Sequence, residues 1–128
     1  VAIRQDVLLR LVRQIAAVLA HATGLRRAGK LDEARAEIDA ARQAHFGPLA
    51  ELLPFLDPES AARMLGGVER VLAWTALLEE EAHIREALGE TCSATGLRAQ
   101  AASLLGRARE GAPEHARRIE EALRSLSA

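Results

Sequence analysis

The sequence predicts an all-α domain, an array of two helical hairpins with about six or seven helices in all. Three observations lead there. Hydrophobic residues make up 49% of the 128 residues but aromatic residues only 2%, so the core must be built from Leu, Val, Ile and a great deal of Ala, the best helix former. Apolar residues recur three and four apart, and the two-residue alternation of a half-buried strand is absent. Most glycines and prolines punctuate the apolar stripes, where turns belong. The length fits one domain over residues 1–128.

Hairpin one occupies about residues 3–46. Its first helix, from about Ile3 to Ala28, carries Leu8, Leu11, Ile15, Val18, Ala22 and Leu25 on one face. Val7, Val12, Ala16 and Leu19 widen that stripe, so the helix should be covered from two sides, by the chain's own helices or by a second copy. Arg26 and Arg27 suit the negative end of its dipole, and Gly29 supplies the left-handed residue that closes it. Asp32 is placed to cap the second helix, whose buried face is Leu31, Ala34, Ile38, Ala41 and Phe46.

A connector over about residues 47–67 follows, with Pro48, Pro54 and Pro58. It reads as two short helices, the second capped by Asp57 with Pro58 in its first turn and stopped at Gly66-Gly67. Its Leu, Phe and Met content predicts a packed segment. Hairpin two covers about residues 68–110. Its first helix buries Val68, Val71, Leu72, Thr75, Leu78 and Ala82 beside Trp74, with "EEEAHIRE" as the solvated side; its second starts near Ser93. Gly96 and Gly106 weaken that helix unless close packing requires them. A last helix, about 113–127, carries Ala116, Ile119, Leu123 and Leu126.

The two hairpins align at an offset of 60 residues. Arg10, Ala16, Ala22, Gly29, Ala34 and Ala41 meet Arg70, Ala76, Ala82, Gly89, Ala94 and Ala101. The shared small residues cluster at the helix–turn–helix junctions. This pattern resembles the tetratricopeptide repeat, a unit of about 34 residues. Ala22, Gly29, Ala34 and Ala41 match its small positions in the first hairpin, and Ala82, Gly89, Ala94 and Ala101 in the second. Its large aromatic positions hold Leu25 and Ile38, then Arg85 and Arg98, and the connector is an insertion between units. Over nearly the whole chain, "QDVLLRLVRQIAAVLA", "GLRRAGKLDEARAEIDAA" and "LLEEEAHIREALGE" in this order resemble a family of small bacterial proteins, a domain of unknown function with tetratricopeptide-like hairpins. The resemblance implies the fold and carries no activity.

Chemistry is sparsely encoded. Net charge is −1, +3 over residues 1–45 and −4 beyond, too little to predict a nucleic acid or an anionic membrane as partner. No uncharged apolar run approaches the roughly 20 residues of a membrane span, and Arg4, Asp6, Arg10 and Arg13 break any signal-peptide pattern. One cysteine, Cys92, fits the cytoplasm. Glu80 and His83 form a single Glu-x-x-His pair, where di-iron bundles need two and further glutamates. The histidines 21, 45, 83 and 115 are scattered, so no metal site, cofactor or catalytic group is expected. Trp74 is read first as core and second as an interface anchor. The expected function is a non-catalytic module that binds an unidentified protein or peptide. The alternative is a homodimer through the first helix, with Leu8, Leu11, Ile15 and Trp74 as the candidate interface.

Overall fold

The computed structural model describes the backbone of residues 2–127 and the side chains of residues 5–126; the Arg4 side chain, one of the charges that break a signal-peptide pattern, lies outside them. The described residues contain no strand. In chain order the α-helices are α1 (Ala2–Arg27), α2 (Leu31–Phe46), α3 (Leu49–Leu52), α4 (Pro58–Leu65), α5 (Val68–Ala87), α6 (Thr91–Gly111) and α7 (Ala116–Ser127). Single 3₁₀ turns at Leu53–Phe55 and Pro113–His115 lead into α4 and α7.

The two hairpin turns are built alike. Gly29 and Gly89 take φ of 79° and 84°, the left-handed conformation that only glycine adopts without strain. The Lys30 amide donates to the Leu25 carbonyl at 2.9 Å, and the Glu90 amide to the Arg85 carbonyl at 2.8 Å. Lys30 and Glu90 then start α2 and α6 with nearly the same dihedrals. This corrects two expected boundaries. The turn is tight enough for α2 to begin at Leu31, which puts Asp32 inside the first turn instead of at the cap, and for α6 to begin at Thr91, two residues before Ser93. Ala22, Ala34, Ala82, Ala94 and Ala101 are fully buried and Ala41 nearly so, as close helix approach at these junctions demands.

Helices α1, α5 and α7 run parallel. Thr23 of α1 reaches Glu80 of α5, while Glu69 and Glu79 of α5 reach Arg118 and Ser125 of α7, so residue numbers climb together on all three. Helices α2 and α6 return antiparallel beside them, and α4 packs on α6. Helix α5 is the centre of the molecule. Its buried residues include Val71, Ala73, Trp74, Leu77, Leu78, Glu80, Glu81 and Ile84, which lie all round its axis. The "EEEAHIRE" segment is therefore not a solvated side: Glu80 and Glu81 are 5% and 1% exposed. A helix surrounded by neighbours has no solvated stripe to spare.

Leu11 and Ile15 point into this core, at 8% and 3% exposure, and Leu8 is half-buried. The proposed two-fold seam on these residues is thus corrected, since the chain's own helices cover them. The first turns of α1 run past the end of α2, and among the described residues Val7, Leu9 and Val12 are its large apolar side chains left in water. Over Gln5–Arg27, α1 is long and apolar enough to cross a membrane by length and composition, with a mean hydropathy of 1.3 and 17% of that window buried. The expectation concerned an uncharged run, and this stretch is not one, since Arg10 and Arg13 fall within it.

The connector is only partly packed. Ala50, Leu53, Ala61 and Leu65 are buried, but Leu52, Phe55 and Met64 are exposed. Asp57 caps α4 as its sequence suggests, its carboxylate accepting from the Ser60 amide at 3.1 Å. Hydrogen bonding from the Ser60 side chain and backbone amide holds the Asp57 carboxyl below its usual value. Gly96 and Gly106 are not there for close packing: a Cβ at either would meet nothing within 4 Å. Gly106→Ala is accordingly expected to stabilise the protein by about 1 kcal/mol, the helix-propensity difference. Urea denaturation checks this; an unchanged midpoint would mean that Gly106 has a role in packing.

Candidate functional site

Where α1 and α5 run side by side, their inner faces do not close completely. Val12, Ala16 and Leu19 of α1 and Leu72 and Ala76 of α5 line an open apolar cleft of about 200 Å³, with Ile15 and Ala73 as its floor. It continues past Leu8 and Leu9 at one end. At the other it meets a polar recess formed by Thr23, Arg26, Arg27, Glu79, Glu80 and His83. The cleft exists because Ala16, Ala73 and Ala76 are too small to fill the space between two helices whose larger residues face elsewhere.

The walls are fixed by three consecutive glutamates. Successive helix positions are about 100° apart, so Glu79, Glu80 and Glu81 leave α5 toward three different neighbours. Glu79 accepts from the Ser125 hydroxyl of α7 at 2.6 Å. Glu80 accepts from the Thr23 hydroxyl at 2.8 Å and Arg26 Nε at 2.6 Å, both on α1. Glu81 pairs with Arg42 of α2 at 2.5 Å and with Arg85 one turn along its own helix. Arg85 in turn donates to the Ser93 hydroxyl of α6. The Arg42, Arg85 and Glu81 charges are paired, yet Arg42 Nε, Arg85 Nε and Glu81 Oε1 are buried without an aligned hydrogen bond. The guanidinium of Arg42 lies 5.4 Å from the Trp74 ring centre, in the cation–π range.

Glu69 and Arg118 line the cleft where it continues toward Leu8 and Leu9, joined by a 3.2 Å hydrogen bond between α5 and α7. Partial burial opposes ionisation of Glu69. Hydrogen bonds from its own backbone amide and from Arg118, with the charges of Arg118 and His115, outweigh that and bring its pKa below the usual 4.5. The Arg98 hydrogen bond and charge likewise lower Glu86. A carboxyl lowered on folding stabilises the fold above its unfolded pKa, and that contribution is lost as pH falls through the folded pKa. Glu69→Gln is thus expected to lower the melting temperature slightly at pH 7, with the gap to the parent protein closing below about pH 4. A gap that persists into acid would rule out the Glu69 charge as its source.

The residues singled out from sequence are dispersed. Trp74 is core, 3% exposed and edge-on to Phe46 with ring centres 5.1 Å apart, so its interface role is not realised in the chain as folded. His83 is half-buried, 3.8 Å from Glu79 and 3.4 Å from Arg98. Its expected companion Glu80 turns away to Thr23 and Arg26. Cys92 is exposed. Among the described residues no three His, Cys, Asp or Glu side chains converge as metal ligands would. Arg85 and Arg98, which stand where the tetratricopeptide pattern has large aromatics, bind Glu81 and Glu86. The cleft-lining residues Val12, Leu19 and Leu72 were assigned from sequence only to core stripes. Compared with protein-family models, with curated proteins and with solved structures, the chain gives no match.

Proposed function

We propose that the chain is a non-catalytic protein-interaction module that receives an amphipathic helix in the cleft between α1 and α5. The observation that carries this is the exposed apolar run along α1, where Leu9 and Val12 are 52% and 42% exposed and border a cleft lined by Leu19, Leu72 and Ala76. A helix laid there buries apolar residues at three- and four-residue spacing, the usual mode of helix-in-groove recognition. The resemblance to tetratricopeptide hairpins supports the same assignment, because such arrays present a concave surface to a partner. The module acts in the cytoplasm, on protein and not on nucleic acid or lipid. The ties from Thr23 and Arg26 to Glu80 favour α1 remaining docked on α5 over α1 leaving it for a bilayer.

Amphipathic helical peptides selected by display against the parent protein test the proposal. They are expected to lose at least about tenfold in affinity for Val12→Glu, since the substitution both removes a buried aliphatic contact and desolvates a charge. Failure to select any such peptide, or binding indifferent to Val12→Glu, would remove the cleft as the site.

A further inference from the structure

On the opposite side of the molecule, Phe55 is 85% exposed, more than any other large apolar side chain among the described residues. It is not on a loose loop. Leu53 is buried at 4% and anchors the turn, Pro54 fixes its backbone, and the Leu56 amide closes it onto the Leu53 carbonyl at 3.1 Å. The backbone that carries the ring is thus set in advance, which lowers the ordering cost on binding. Directly beside it lies an open cleft of about 270 Å³ between the connector and α6. Leu56 and Pro58 form one wall, Gly96 and Ala99 the other, and Trp74 and Leu78 the floor. Pro54 and Leu56, the two chain neighbours of Phe55, line the cleft while Phe55 does not.

We propose that this face is a self-association surface, on which two copies meet about a two-fold axis and each places Phe55 in the other's cleft. A protruding ring and a recess side by side on one surface are self-complementary in the way an isologous contact requires. The charge pattern of α6 is compatible with a second copy. The exposed face of α6 along the cleft, from Cys92 through Thr95, Gly96, Ala99 and Gln100 to Ser103, carries no charge, in a chain that is 27% charged. The one arginine in that stretch, Arg98, is paired with Glu86 at 2.9 Å. The α6 wall can meet its own image without opposing like charges, the exposed charges Asp57 and Glu59 being confined to the connector wall, and charge depletion is the mark of an interface centre. Gly96 also gains a purpose, since a helical glycine with open space around its missing side chain leaves the recess wall low.

This surface is separate from the α1–α5 cleft and does not depend on it. The test is molar mass by light scattering and sedimentation from low micromolar to millimolar protein. The parent chain is expected to form a dimer. Phe55→Asp should weaken it by more than about a hundredfold, because a hot-spot ring is lost twice. Ala99→Leu, which fills the recess and keeps Phe55, should weaken it too, and Leu9→Glu on α1 should leave it intact. Both Phe55 and Ala99 are exposed, so circular dichroism should register no loss of helix in either variant. A monomer at every concentration would overturn the proposal. So would a dimer that survives Phe55→Asp, or one that Leu9→Glu alone dissociates.

Discussion

Glu81→Ala is expected to destabilise the protein by about 3–5 kcal/mol, a large fraction of the stability of a domain this size. Glu81 is 1% exposed and is the anion facing both Arg42 and Arg85. Its removal leaves two arginines on the α2–α5–α6 junction with their charges uncompensated and their Nε atoms already unpaired. Asp39, 3.9 Å from Arg42, is exposed and offers little in return. The opposite experiment separates the cost of breaking the cluster from its net worth. Replacing Arg42, Glu81 and Arg85 together by Met or Leu is expected to restore most of the loss, since desolvating a buried ion group offsets much of its attraction. Chemical denaturation of the single and triple variants measures both. If the triple variant is as unstable as the single one, the cluster contributes net stability and its role is more than charge balance.

Trp74→Ala is expected to cost about 3–5 kcal/mol as well, for a different reason. The indole fills the space where α2, α5 and the connector meet. It is edge-on to Phe46, under the Arg42 guanidinium, and forms the floor of the connector cleft. Alanine opens a cavity there and withdraws the ring that faces Arg42. Trp74→Phe keeps an aromatic edge for Phe46 and is expected to lose less than half as much. Thermal unfolding followed by circular dichroism, which does not depend on the lost fluorophore, gives both values. Equal losses for Ala and Phe would place the energy in the indole's interaction with Arg42 and not in its volume.

The hairpins were legible in the sequence because their signals are local. A three–four spacing of Leu11, Ile15, Val18 and Ala22 needs no knowledge of the partner helix, and Gly29 and Gly89 announce the turns by conformation alone. The ion pairs that dock one hairpin on the other were not legible, since Glu80 meets Arg26 across 54 residues and periodicity does not say what a charge faces. One signal was present: Glu81 sits three residues after Leu78 and three before Ile84, in line with the apolar stripe, and Arg42 borders Ala41 on the buried face of α2. A charge at a core position implies a buried partner. The connector misled for a related reason. Its composition foretold apolar contacts, but the direction of Phe55 is set by a proline-locked 3₁₀ turn, which composition does not encode.

The three glutamates of α5 have a consequence for how the molecule comes apart. Repeat arrays whose units touch only their neighbours melt piecemeal, with terminal units fraying first. Here Glu79, Glu80 and Glu81 bind α7, α1 and α2 from one turn of a single helix. No hairpin can peel away without stripping a carboxylate from that turn. Unfolding is therefore expected to be cooperative, with the α5 amides the slowest in the domain to exchange with solvent.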